Sequence, residues 1–292
     1  MYNVYHCLRV TGRLYVYHPA VYNASHTPSI EDVTMYSIDL SGKTAIVFGI
    51  ANHRSIAWAI AQILQEAGAT LAVAYQNERI RGGVEKLVGE WDRDAMLIEC
   101  DVSDDANVEK AVQQVGDEFG KVDIIIHSIA FADRDDLGGA YMKTSREGFR
   151  LALDVSAYSL LPIARYAAPY MTDGGSIVAM TFQAAERVFP GYNVMGTAKA
   201  ALENAVTQIA SDLGEQNVRV NAISAGPLDT LSSRVISQYR DMKRIHAERS
   251  PMKRNITAEE VAKTALFLCS DLASGITGEI VHVDTGYNIM GI

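Results

Sequence analysis

From residue 39 onward the chain repeats one unit: a short run rich in β-branched and other apolar residues, a turn of small or polar residues, then a longer stretch of helical period. This alternation limits the fold most narrowly, because it is the pattern of strands joined through crossover helices. Strands are expected at 44–48, 70–75, 95–99, 122–127, 176–180, 218–222 and 279–283. Ile124, Ile125 and Ile126 leave no polar face, as a parallel strand covered by helices on both sides requires. The expected fold class is α/β, a doubly wound seven-stranded parallel sheet forming a single domain over residues 36–292. Ligands of such sheets bind beyond the carboxyl ends of the strands, where the strand order reverses.

Residues 1–35 stand apart from that pattern. Tyr2, Tyr5, Tyr15, Tyr17 and Tyr22 crowd in with His6, His18 and His26, lysine is absent, and Glu31 and Asp32 are the only acids. The segment has no clear period and is expected to be a disordered extension, or translated upstream sequence before a start at Met35. His, Arg and Tyr interrupt every window that could serve as a secretory signal. No apolar run approaches the ~18 to 20 residues that cross a bilayer, so membrane insertion is not expected. Thirty-five acidic against 26 basic side chains give a net charge of -9, which argues against nucleic acid as a partner. Cys7, Cys100 and Cys269 form no CxxC pair, so neither a disulfide framework nor a metal site is expected, and a reducing cytoplasm fits.

The turn after the first sheet strand, Gly49-Ile50-Ala51-Asn52-His53-Arg54-Ser55-Ile56-Ala57-Trp58, opens an amphipathic helix. Gly49 permits a tight turn, and backbone N–H groups at a helix start suit a pyrophosphate. GxGxxG is not present, and an ordinary turn capped by Ser55 would read the same. The second strand runs into Gln76, where dinucleotide folds meet the adenosine ribose. A neutral Gln76 favours NADH, while Arg54, Arg79 and Arg81 leave NADPH open. The third strand ends at Asp101-Val102. Asp101 either accepts from an adenine amino group or, like Ser103, caps the helix beginning near Asp104. Small residues at Ser128, Ile129 and Ala130 to Ala132 would let a ligand approach the backbone, and His127, inside an apolar strand, reads as a core histidine.

Tyr192 and Lys199 are seven residues apart. On one continuous helix that spacing is about 700°, which puts both side chains on one face. A nicotinamide ribose could then lie between them. The Lys199 ammonium would hold its hydroxyls and make the phenol more acidic, and Tyr192 would support negative charge on a substrate oxygen. Packing for Tyr192 and a solvated end for Lys199 is the plainer alternative.

Together with the 49–58 turn, Ala222-Ile223-Ser224-Ala225-Gly226-Pro227 and Leu272-Ala273-Ser274-Gly275-Ile276-Thr277-Gly278-Glu279, this stretch closely resembles the bacterial enoyl-acyl-carrier-protein reductases, a divergent branch of the short-chain dehydrogenase/reductases. The likeness runs from Leu40 to Ile292. It implies a Rossmann-type sheet, NADH as cofactor, and reduction of the trans-2 double bond of an enoyl thioester on acyl carrier protein, the last reductive step of fatty acid elongation. It also implies a homotetramer. The family's Tyr-x6-Lys pair falls on Tyr192 and Lys199. Its nucleotide contacts fall on Gly49, Ser55, Ile56, Gln76, Asp101, Val102, Ser128, Ile129, Ala130, Lys199, Pro227, Leu228 and Thr230. Ala132, Phe182, Tyr192 and Met195 would meet the substrate.

Phe182 stands where most of the family carries a second tyrosine, and Asp229 where arginine is usual. Phe182 motivates a rival reading, a catalytically weak or silent NAD-binding paralogue with a regulatory role. A carbonyl reductase would pair tyrosine with lysine four residues on, and Met195 occupies that place. Between 232 and 254, Val235, Tyr239, Met242 and Ile245 recur at helical spacing and could cover an acyl chain. Arg234, Arg240, Lys243, Arg244, Arg249, Lys253 and Arg254 outnumber Asp241 and Glu248 there, a basic rim that could steer an acidic carrier.

Overall fold

The computed structural model describes residues 6–10, 13–17, 37–91, 93–231, 233, 236 and 239–291. Two units divide the chain, Met1–Ile38 and Asp39–Ile292. Within the first, strands β1 (His6–Val10) and β2 (Arg13–Tyr17) pair antiparallel, with His6 opposite Tyr17. The rest of the expected extension lies outside the described residues.

In the second unit all seven expected strands form. They are β3 (Thr44–Phe48), β4 (Thr70–Tyr75), β5 (Met96–Glu99), β6 (Ile124–His127), β7 (Gly175–Thr181), β8 (Val218–Ala225) and β9 (Ile280–Val283). The sheet runs β5-β4-β3-β6-β7-β8-β9, parallel throughout. The order therefore reverses between β3 and β6, and the carboxyl ends of those strands define the crevice. β8 runs three residues further than the apolar pattern suggests, because Ile223, Ser224 and Ala225 continue the ladder against β9. That extension carries Gly226 and Pro227 to the crevice.

Helices α1 (Ile56–Glu66), α2 (Glu78–Val88), α3 (Asp105–Phe119), α4 (Arg146–Leu153), α5 (Leu160–Ala167), α6 (Val194–Leu213), α7 (Tyr239–Arg249) and α8 (Ala258–Cys269) fill the intervals. Every residue of β3 and β6 is buried, so the central strands have helices on both faces. α1 and α8 pack together on one face, and α3, α5 and α6 cover the other. The start of α3 decides one open point: Asp104, not Asp101 or Ser103, caps the helix by accepting from the Ala106 N–H at 2.9 Å. Asp101 instead accepts from the backbone and hydroxyl of Ser103 at 3.1 and 2.8 Å.

Between α4 and α5 the helix widens into a π turn, Asp154–Tyr158. Such bulges are inserted residues that re-aim side chains. Here Ser156 and Ser159 turn toward the segment leaving β6. Ser156 donates to the Phe131 carbonyl at 3.0 Å and accepts from the Phe131 N–H at 2.9 Å. Ser159 donates to the Val155 carbonyl at 2.7 Å, so its oxygen accepts from His127 Nε2 at 2.8 Å. His127 is wholly buried, as a core histidine should be.

Candidate active site

Six chain segments converge on a cavity of about 410 Å³ at the switch point: the turn after β3, the segments after β6 and β7, α6, the segment after β8, and the start of α7. Gly49 is the closest constraint. Its φ is +102°, and a Cβ there would fall 2.0 Å from the Ser128 carbonyl oxygen, so only glycine lets the turn after β3 approach the backbone after β6 this closely. Ser55 precedes α1 but does not cap it. Its hydroxyl oxygen accepts from the Ala51 and Asn52 N–H groups at 3.0 and 3.2 Å, shaping the turn, and no side chain caps the helix. A helix start without a side-chain cap beside a glycine cradle has the form of an anion site, which a pyrophosphate fits.

Thr181 ends β7 and Phe182 follows it. A short 3-10 turn, Gln183–Ala185, then leads to Phe189, Pro190 and Gly191. Tyr192 is not on the helix that carries Lys199, contrary to the two-turn expectation. It lies in the turn before α6, held by its N–H to the Phe189 carbonyl at 3.0 Å. The chain enters α6 through Asn193, whose φ of 39° is in the left-handed range. Asn193 donates through its amide to the Gly138 carbonyl, fastening this entry to the segment after β6. The turn nevertheless delivers Tyr192 to the wall that Lys199 also lines. The Phe182 ring lies against both Tyr192 and Phe189, with centroids 4.9 and 4.7 Å apart.

Lys199 is 4% exposed. Its ammonium donates to the Met180 carbonyl at 2.7 Å and, more weakly, to the Ile129 carbonyl at 3.4 Å, leaving a third N–H. Burial lowers its pKa to about 8, still an ammonium at neutral pH. The phenol of Tyr192 shifts the other way: burial and then the neighbouring Tyr239 push it up. The expected acidification by Lys199 is absent: burial leads the shift and Tyr239 adds to it, so the phenol is neutral. His127 is pushed down to about 3 by burial and then by Lys199, so it is a neutral imidazole.

Of the residues expected at the site, Gly49, Ser55, Ile56, Ser128, Ile129, Ala130, Ala132, Phe182, Tyr192, Met195, Lys199, Pro227, Leu228 and Thr230 all line the cavity. Gln76, Asp101 and Val102 do not. They follow β4 and β5, on the outer side of β3, where Gln76 is exposed and Val102 is core. Arg81 is already engaged by Glu78 and Glu85 at 3.0 and 2.9 Å.

The 232–254 segment departs most from expectation. Tyr239 faces the cavity and donates to the Leu228 carbonyl at 2.6 Å, with its phenol pushed up to about 12 by burial. Met242 and Ile245 line a separate cavity of about 230 Å³ with Phe189, Pro190 and Tyr287 instead. Val235 and Arg234 lie outside the described residues. Much of the basic charge is paired: Lys243 with Asp229, Arg244 with Asp241 and Glu248, Arg254 with Glu260. Arg240 and Arg249 form no ion pair among the described residues. Sequence reasoning passed over Asn193 and Glu203; the Pro190-Gly191 turn signal ahead of Tyr192 could have exposed the first.

A doubly wound sheet with a glycine cradle at its switch point defines the Rossmann class of dinucleotide-binding domains. A family described as Enoyl-(Acyl carrier protein) reductase matches residues 49–288, and the chain belongs to it. The enoyl-[acyl-carrier-protein] reductase [NADH] FabI of Bacillus subtilis is 47% identical over 254 residues, covering 87% of this chain and 98% of that protein. A crystal structure of the Bacillus cereus enoyl-acyl carrier protein reductase, with NADP+ and indole naphthyridinone, superposes with a TM-score of 0.85 at 47% identity. It covers 87% of this chain and 99% of that one. The Anaplasma phagocytophilum reductase in complex with NAD gives 0.84 at 42% identity, covering 89% and 99%.

Proposed function

We propose that this protein reduces the trans-2 double bond of enoyl thioesters carried on acyl carrier protein, with NADH as reductant, in the last reductive step of fatty acid elongation. The observation that carries this reading is the cavity itself, which gathers Gly49, Ser128, Lys199 and Pro227 together with Phe182, Tyr192 and Met195. Gly49, Ile56, Ser128 and the residues after β8 hold the dinucleotide, and Gln76, with no charge for a 2′-phosphate, favours NADH. Reduced nicotinamide, when bound, supplies the hydride for the β carbon of the acyl group.

The residues of the chain do the rest. The third N–H of Lys199 is available to the ribose hydroxyls. Tyr192, neutral because burial keeps its proton on, donates to the thioester oxygen as negative charge develops there. Phe182 supplies an apolar wall but no hydroxyl. Arg240 and Arg249 of α7, which form no ion pair among the described residues, leave positive charge on that helix for an acidic carrier. The family resemblance supports a cytoplasmic homotetramer, and light scattering checks the assembly. Among the described residues no helix is long and apolar enough to cross a membrane.

The test mixes the protein with an enoyl-acyl-carrier-protein thioester and each reduced cofactor in turn, following loss of the reduced-nicotinamide absorbance. NADH should be consumed, and faster than NADPH; binding without consumption overturns the reading. Tyr192→Phe should lower kcat about 10²- to 10³-fold, the usual worth of one preorganised donor. Full turnover in that variant would remove Tyr192 from the chemistry.

A further inference from the structure

Lys199 is a buried cation without a direct counter-ion. Its two partners are carbonyl oxygens, and no carboxylate lies within ion-pair distance of it among the described residues. An ammonium taken out of water is disfavoured unless opposite charge stands nearby. One helical turn further along α6, at the i+4 position that shares its face, is Glu203. Glu203 is fixed in turn: its Oε1 accepts from the Thr181 hydroxyl at 2.6 Å. Thr181 directly follows Met180, whose carbonyl accepts from Lys199 at 2.7 Å. Two consecutive residues at the end of β7 therefore grip two side chains one turn apart on α6.

From this geometry we infer that Glu203, pinned by Thr181, is a positioning residue that maintains the charge and aim of Lys199 toward the dinucleotide. The inference rests on the role given to Lys199 above. Among the described residues no other group facing the lysine does this. From β6, His127 is neutral and buried, and from the turn before α6, Tyr192 keeps its proton. Glu203 itself is faced by Glu186 from the turn after β7 and by His282 from β9, with Lys199 on its own helix. Burial lowers Lys199 and the Glu203 carboxylate opposes that fall, while burial raises Glu203 and the Thr181 hydroxyl leads the groups that oppose it. Glu203 is thus the one charge that offsets the burial of Lys199, while Lys199 is the smallest of the groups acting on Glu203.

The direct test needs no cofactor. Lysine labelled at the ε carbon and followed by NMR gives the titration of Lys199 in the free protein, its signal assigned by loss in Lys199→Met. Glu203→Gln should move that titration down by about one pH unit. Thr181→Val, which leaves the carboxylate but removes its pin, should move it less and in the same direction. A parallel fluorescence titration of NADH should show the alkaline loss of affinity setting in about one pH unit earlier in Glu203→Gln, with affinity at pH near 6.5 little changed. If Lys199→Met abolishes the alkaline limb and both other variants leave the lysine titration where it was, Glu203 has no such role and the proposed function stands. If Lys199→Met binds NADH like the parent at every pH, the role of Lys199 falls instead. Should Glu203→Gln fail to fold, Thr181→Val carries the test, and an unmoved titration in it overturns the inference.

Discussion

Tyr192 and Lys199 reach the cavity by different routes, one from a turn and the other from a helix, and the residue that joins the routes is Asn193. Its φ of 39° lies where side chains other than glycine are strained, by ~1 to 3 kcal/mol for sparsely populated backbone regions. Asn tolerates that region better than most residues, and here its amide is also bonded to the Gly138 carbonyl. Asn193→Ala should lose both advantages, lowering unfolding free energy by about 1 to 2 kcal/mol in denaturant titration and lowering kcat by displacing Tyr192. Asn193→Gly removes the bond but relieves the backbone, so its stability should stay closer to the parent while kcat still falls. Equal stability losses in the two would mean the backbone strain is unimportant. The sequence reading missed this residue because a seven-residue spacing fits a helix whether or not the helix has begun. Pro190 and Gly191 punctuate the chain just before Tyr192, and α6 starts only at Val194.

Among the elements, those buried on both faces were legible in advance. β3 and β4 match their expected bounds because Thr44 to Phe48 and Thr70 to Tyr75 are apolar runs ended by glycine or polar residues. The π turn was not legible, because nothing periodic separates it from a plain helix; the helical spacing of α7 was legible, but not the division of its residues between two cavities. α7 turns only Tyr239 to the main cavity, and two contacts tie it to the segment after β8: Tyr239 to the Leu228 carbonyl, and Lys243 to Asp229 at 2.5 Å. The second contact shows how Asp229 is accommodated beside the cavity, since Lys243 of α7 neutralises its charge. A hydrogen bond of this kind is worth roughly 1 kcal/mol. Tyr239→Phe should therefore raise the KM for enoyl thioester about fivefold while leaving thermal stability nearly unchanged; an unaltered KM would show that α7 is positioned without this bond.

Across the whole molecule, the sheet order puts a fully buried histidine, His127, at the end of a central strand, next to Ser128 of the cavity wall. In the fold its pKa is pushed down to about 3, chiefly by burial, whereas in the unfolded chain it is ~6.5. Between those values the unfolded chain binds the proton and the native protein does not. Stability is therefore complete above pH ~6.5 and declines as pH falls toward the folded value. By pH 5 this one residue should have removed about 2 kcal/mol of unfolding free energy. His127→Gln keeps a donor for Ser159 but cannot titrate. Whatever its stability at neutral pH, its unfolding free energy should fall less steeply between pH 6.5 and 5, by about the same 2 kcal/mol, when both proteins are unfolded in urea across that range. Parallel slopes for parent and variant would mean that His127 becomes protonated inside the fold, and the segment holding it between β6 and the π turn would then have to be looser than its bonds to Ser159 indicate.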